Sequence, residues 1–246
     1  SVDPLLNSTK SEASSSVAII LIASVIGFYM IFLVKAKSFV FGSVSGRWVY
    51  EYFESTPTIP LWIPILIGIL LGLSIFVGSK FIHTQEKATL LACFLSIFII
   101  QVLIYSVYPI SLGKIVLSNG ATSFYSPAME YSVFEILNNF TELAPTLPRH
   151  ARTNMPGKIL LFEVFTIFTK SPEIMGILII GISSLGALLL YGICKQLFRD
   201  RQAAFYAFIL YGLIPSKTFF LPILNTVTPI FILLCLYLLI IYINKK

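Results

Sequence analysis

Residues 174–194 read IMGILIIGISSLGALLLYGIC, an uninterrupted run of 21 residues without a charged side chain. A helix needs about 20 apolar residues to cross the ~30 Å hydrocarbon core of a bilayer, so this run predicts a membrane-spanning helix. Ser171, Pro172 and Glu173 precede the run. They supply an N-cap, a first-turn proline and an early acid, which together indicate where the helix begins.

Five other apolar stretches are of similar length, and they cover residues 17–34, 60–78, 88–109, 203–221 and 223–243. About eighteen apolar positions favour insertion strongly, at roughly −0.3 to −0.6 kcal/mol per central Leu, Ile, Phe or Val. The sequence therefore predicts an all-α fold, a polytopic membrane helix bundle.

Composition supports the same class and excludes others. The chain has 246 residues, of which 57% are hydrophobic and 11% are charged, whereas soluble domains carry about 25% charged residues. Too few polar groups remain to cover a water-exposed surface. This excludes soluble enzymes, nucleic-acid-binding modules and disordered chains. Basic residues beside membrane spans account for the formal charge of +6, so we expect membrane lipid and no nucleic acid as a partner.

Charged loops predict the orientation. Lys and Arg residues cluster within residues 80–87, 195–201 and 245–246, and such clusters favour the cytoplasmic side. This orientation places one long loop, residues 110–171, outside the cell. We expect the bundle itself to lie in the plasma membrane. Basic residues within 35–47 then fall on the wrong side, so the orientation of the first helix stays open.

The long loop contains a segment that is too short to cross the membrane. Residues 158–170 read KILLFEVFTIFTK, and Glu163, Thr166 and Lys170 recur at helical spacing. This pattern predicts a juxtamembrane amphipathic helix in the interface. A second helix is predicted to begin at Ser126-Pro127.

Four basic or titratable side chains precede and begin that amphipathic helix: Arg149, His150, Arg152 and Lys158. One interpretation is that the cations reach lipid headgroups. The other is a phosphate or pyrophosphate site, because guanidinium forks match phosphate oxygens and each charge-assisted bond contributes roughly 1.5–3 kcal/mol. His150 has no second ligand at metal-binding spacing, and the three cysteines lie in apolar runs, so no metal site is predicted.

Three short sequences follow one another in an order that resembles a known family. HARTNMPGKILL spans residues 150–161, LFRDR spans 197–201 ahead of an Ala-rich helix, and LNTVTP spans 224–229. This order resembles the integral-membrane glycosyltransferases of the C superfamily, in particular the protein-mannosyltransferase-like branch. The resemblance covers a module at residues 88–246 with the loop at 110–171, and residues 1–87 form an added pair of helices with a polar lead. Relatives continue through several more helices, so the chain resembles a degenerate or truncated member.

The resemblance implies sugar transfer from a polyprenyl-phosphate carrier to an acceptor at the external face. In that family a loop carboxylate acts as general base on the acceptor hydroxyl, and basic groups or a divalent metal stabilise the departing lipid phosphate. Arg149, His150, Arg152 and Lys158 would hold the phosphate here. This chain has Asn119-Gly120-Ala121 where the acid is expected, which leaves Glu130 and Glu135, and also Glu142, as candidate bases.

The missing loop acid also favours an alternative. A chain that keeps the glycosyltransferase-like scaffold without its carboxylates is predicted to be a non-catalytic subunit of a larger membrane complex. Two small-residue pairs, Gly68 with Gly72 and Ser183 with Ala187, permit close helix approach. We expect both pairs to pack within the bundle, with a partner subunit as the alternative.

Overall fold

A computed structural model describes residues 25, 26, 29, 42–43, 48–49, 59–107, 110–118, 123–214 and 222–244 of the chain. The chain divides into two compact units, Ser1–Thr56 and Pro57–Lys246. In the first unit, strands β1 (Gly42–Ser43) and β2 (Trp48–Val49) pair antiparallel. The predicted helix at residues 17–34 lies mostly outside the described residues.

The second unit is helical, which confirms the predicted all-α fold. In chain order its α-helices are α1 (Trp62–Phe81), α2 (Glu86–Ser106), α3 (Leu112–Leu117), α4 (Tyr125–Glu130), α5 (Val133–Leu143), α6 (Arg149–Thr153), α7 (Gly157–Thr166), α8 (Pro172–Phe198), α9 (Arg201–Gly212) and α10 (Thr228–Asn244). A 3-10 turn, Leu224–Thr226, leads into α10.

Four helical segments are long and apolar enough to cross a membrane: Trp62–Phe81, Glu86–Ser106, Pro172–Phe198 and Leu224–Asn244. They coincide with four of the six predicted spans. Their outward faces carry large exposed apolar side chains, as lipid-facing helices do. The coincidence supports the assignment of the chain as a membrane protein.

Helix α9 is shorter than predicted. The apolar run suggested a span over residues 203–221, but the helix ends at Gly212 after 12 residues, which is about 18 Å. The sequence at this end is Gly212-Leu213-Ile214-Pro215, and a glycine followed within three residues by proline is a local signal for the end of a helix. The amide Nε2 of the buried Gln101 side chain also donates to the Gly212 carbonyl at 2.7 Å. A side-chain donor from α2 thus satisfies a carbonyl that would otherwise end the helix without a partner.

Helix α8 is the centre of the bundle and packs against α2, α3, α9 and α10. It begins at the Ser171 N-cap, as predicted, and ends at Arg199, whose φ of 55° lies in the left-handed region. Asp200 caps α9 directly afterwards. Glu86 at the start of α2 pairs with Lys195 at 2.6 Å and with Arg201 at 3.4 Å, which fixes this end of the bundle.

The two small-residue pairs have different surroundings. Ser183 and Ala187 are fully buried in α8, which confirms their predicted packing within the bundle. Gly68 and Gly72 in α1 face open space, and a Cβ added at either would meet nothing within 4 Å. The expectation that they pack within the bundle is therefore wrong for the part of the chain that the structure describes.

Candidate functional site

A cluster of aromatic rings holds the short helices of the 110–171 segment together. Phe124, Phe162 and Phe165 are nearly or fully buried in one apolar core. Phe124 stacks on Phe162 with centroids 6.3 Å apart, and Phe165 meets Phe162 edge-on at 5.9 Å. This core fixes α7 against α4, and so fixes the position of the first residues of α7.

Lys158 is the best-positioned cation of the predicted basic stretch. Its Nζ donates to Asn154 Oδ1 at 2.8 Å and to Asn225 Oδ1 at 2.6 Å. The same ammonium lies 5.4 Å from the centroid of the Phe124 ring, within cation–π range. Lys158 therefore joins α7 to the 3-10 turn that precedes α10.

The environment of Lys158 alters its proton affinity and its hydration. Partial burial lowers the pKa of the Lys158 amine below its ordinary value of 10.5, because desolvation disfavours the charged form. An ammonium has three N–H donors, and the two asparagine oxygens use two of them. The third can bind a further oxygen acceptor in a site from which water is partly excluded.

A groove of about 530 Å³ lies beside this lysine, between α7 and the start of α10. Its lining residues are Asn154, Met155, Gly157, Lys158, Leu160, Leu161, Val164, Leu224, Thr228 and Phe231. Polar groups occur at Asn154, Lys158 and Thr228, and most of the remaining wall is apolar. The groove thus combines one cationic head site with an apolar channel.

The other predicted phosphate ligands do not line this groove. Arg149, His150 and Arg152 are exposed on α6. Helix α6 contacts the groove through Asn154, which lines it. The Asn154 backbone N–H and side-chain amide both donate to the His150 carbonyl, at 3.1 and 2.8 Å. Of the four predicted ligands, the structure brings Lys158 to the groove and leaves the other three exposed on the helix before it.

The predicted general bases are exposed. Glu130 ends α4, and Glu142 lies on the outer side of α5. Glu135 closes a capping box with Ser132. The Ser132 backbone N–H and hydroxyl both donate to Glu135 Oε2 at 2.8 Å, and these bonds lower the pKa of the Glu135 carboxyl. A carboxylate held in its charged form in this way is a weaker base, and its position is explained by helix capping.

Glu163, one of the polar residues of the predicted amphipathic helix, is half-buried in α7. Its Oε1 is fully buried and has no hydrogen-bond partner among the described residues. Burial raises the pKa of the Glu163 carboxyl, because the charged form loses hydration. Glu163 does not line the groove.

Sequence reasoning missed the partners of Lys158. Asn154 is only four residues before the lysine, which is a local signal for this contact, but it follows the end of α6 and Met155 has a φ of 61°, so the two residues are not helical neighbours. Asn225 and Phe124 had none, because they are far from Lys158 in the sequence. Across the described residues, no three His, Cys, Asp or Glu side chains come together as a metal site.

Comparison with protein-family models, with curated proteins and with solved structures finds no match to this chain.

Proposed function

We propose that the groove at Lys158 binds a polyprenyl-phosphate-linked sugar at the external face of the plasma membrane, in a glycosyltransferase-like protein. The observation that carries the proposal is the combination of a partly desolvated ammonium with an apolar channel between α7 and α10. A phosphate would take the third N–H of Lys158. An isoprenoid chain would follow Leu161, Val164 and Phe231.

The phosphate group of the donor lipid, rather than its isoprenoid chain, would give such a site its selectivity over other lipids. Lipid tails are as apolar as leucine side chains, so an isoprenoid gains little by leaving the bilayer for the groove. A charge-assisted hydrogen bond to phosphate contributes roughly 1.5–3 kcal/mol, and more where water is excluded. Arg149 and Arg152 are exposed on α6, the helix that precedes α7, and add positive charge before the first turn of α7.

Sugar transfer from such a donor also needs a base for the acceptor hydroxyl. Glu130 and Glu142 are the exposed carboxylates left for this role once Glu135 is assigned to helix capping. A divalent metal, as in the family that the chain resembles, would add a second source of positive charge for the departing phosphate.

One observation favours a second candidate function, a non-catalytic subunit that keeps the donor site. Among the described residues that line the groove, none is an aspartate or glutamate. A chain that holds a lipid phosphate without a nearby base would present or sense the donor for other subunits of a membrane complex.

Binding of a fluorescent polyprenyl-phosphate sugar to the full chain in zwitterionic nanodiscs tests the proposal. We expect Lys158→Gln to weaken binding at least tenfold, which corresponds to the loss of about 1.4 kcal/mol. Lys170→Gln is the matched control, because Lys170 is exposed four residues after α7 and lies outside the groove. Equal affinity of the wild type and Lys158→Gln would refute the assignment.

A transfer assay separates the two candidate functions. If the chain is an enzyme, isolated wild-type protein transfers sugar, and Arg152→Ala abolishes transfer while the chain remains folded. Donor binding without transfer, by isolated protein that transfers only when other membrane subunits are added, would support the subunit. Normal transfer by Arg152→Ala would refute the role of that arginine.

A further inference from the structure

Helix α5 presents an apolar face that the core does not cover. Val133, Phe134 and Leu137 are 47%, 76% and 57% exposed, and Met129 at the end of α4 is 37% exposed. These four residues are called the α5 face. Large exposed apolar patches on a folded protein mark interaction surfaces more often than isolated exposed side chains do.

The α5 face is distinct from the side of the helix that packs internally. Ile136 is 1% exposed and belongs to the aromatic core of the 110–171 segment, and Phe140 packs against that core. Before the kink at Asn139, successive residues of the helix are about 100° apart, so Phe134 and Leu137 each project from a different side than Ile136. Because α5 already buries one apolar side, this second side is not needed for its attachment.

The charged residues in the sequence around the α5 face are all acidic. Residues 115–148 contain three acidic residues, Glu130, Glu135 and Glu142, and no lysine or arginine. All three carboxylates are exposed. A helix that lies in a membrane surface typically has Lys and Arg on its polar side, where they contact lipid phosphates. The acidic border of this face therefore disfavours lipid as its partner.

We propose that the α5 face docks a partner protein through an apolar helix or loop bordered by lysine or arginine. An aromatic side chain at the centre of a patch with a charged border is typical of a binding hot spot. Phe134 is the most exposed residue of the α5 face and serves as its anchor, and the three carboxylates select a basic border and steer its approach. The inference does not depend on the proposed donor site, because no residue of the α5 face lines the groove.

A pair of synthetic helical peptides tests the proposal. Both carry one leucine and phenylalanine face; one has a lysine border and the other a glutamate border. The full chain is held in phosphatidylcholine nanodiscs, and empty nanodiscs measure binding to lipid. We expect at least tenfold tighter binding of the lysine-bordered peptide, and this difference shrinks at high salt because the charges are exposed.

Variants locate the binding surface. The double variant Phe134→Ser with Leu137→Ser is expected to bind the lysine-bordered peptide at least tenfold more weakly than the wild type and to bind donor lipid unchanged. Phe168→Ser is the matched control, because Phe168 is 75% exposed after the end of α7 and outside the α5 face. Equal affinity for both peptides, binding no stronger than to empty nanodiscs, or full binding by the double variant would each overturn the proposal.

A photo-crosslinking amino acid in place of Phe134 tests the occupant in native membranes. A crosslink to a peptide of another protein with apolar residues beside Lys or Arg supports the proposal. Crosslinks to lipid alone, to a second copy of this chain, or to a peptide without basic residues would overturn it.

Discussion

The substitution Gln101→Leu tests how the centre of the bundle is held together. Gln101 is fully buried in α2. Its Nε2 donates to the Gly212 carbonyl at 2.7 Å, and its Oε1 accepts from the Ser184 hydroxyl at 2.9 Å. One side chain thus joins α2, α8 and the end of α9. Leucine has a similar volume and can make neither bond.

The magnitude follows from these two bonds. Hydrogen bonds between membrane helices contribute about 0.6 kcal/mol on average and up to about 1.7 kcal/mol. Ser184 keeps a second acceptor, the Ile180 carbonyl at 2.9 Å, whereas the Gly212 carbonyl loses the donor from Gln101. We therefore expect Gln101→Leu to lower the free energy of unfolding by about 1–2 kcal/mol, because an unsatisfied buried carbonyl costs roughly 1–3 kcal/mol.

Thermal unfolding in detergent, followed with a thiol-reactive dye, measures this loss. Cys93 and Cys194 are buried and react only as the bundle opens, whereas Cys235 is exposed and sets the baseline. Gln196→Leu is the control, because Gln196 is exposed near the end of α8 and its side chain accepts only a long, exposed bond from Asn244 at 3.4 Å, so its effect should stay within about 0.5 kcal/mol. An unchanged or raised midpoint for Gln101→Leu would refute the proposed role of the two bonds.

Three further predictions concern stability. Glu86→Gln removes the ion pair with Lys195, and we expect a loss of up to about 1 kcal/mol that disappears in high salt, measured by the same unfolding assay. Gly78→Ala should destabilise by about 1–3 kcal/mol, because its new Cβ would collide with a buried phenylalanine ring, whereas Gly72→Ala has open space and should be neutral or slightly stabilising; equal effects would contradict this. Burial raises the pKa of Glu163 above its unfolded value, so the wild type loses stability as pH rises through the raised pKa. Glu163→Gln should remove that loss, so at neutral pH we expect its free energy of unfolding to be about 1 kcal/mol higher than that of the wild type and its unfolding temperature to rise. Below pH 4 we expect no gain in stability, and a gain that is independent of pH would contradict the assignment.

Run length and hydropathy were sufficient to predict four helices that are long and apolar enough to span a membrane, because the bilayer sets a minimum length that any span must meet. The start of α8 was also predictable, since the Ser171 cap acts on its own first turn. The end of α9 also had a local signal, Gly212 with Pro215 three residues later, which the length of the apolar run obscured.

The small-residue pairs show a limit of local sequence patterns. Gly68 with Gly72 and Ser183 with Ala187 have the same spacing, yet one pair faces open space and the other is buried. Spacing determines which face of a helix carries small residues, and tertiary packing determines whether that face is covered.

The candidate site was predictable in part. The basic stretch indicated Lys158 from local sequence, and the apolar residues after it indicated a helix at the interface. The groove itself requires α10, more than 60 residues later, and the Asn225 acceptor at its start. Distant segments form the site together, so a local pattern could predict its charge and not its shape.

The most direct test of the central claim is competition between polyprenyl phosphate and the corresponding polyprenol, which has the same tail without the phosphate. Native mass spectrometry of the full chain in an equimolar mixture measures which lipid is retained. The account predicts that the wild type retains the phosphate at least tenfold more than the alcohol, and that Lys158→Gln loses this preference. Equal retention of the two lipids by the wild type, or an undiminished preference in Lys158→Gln, would contradict it.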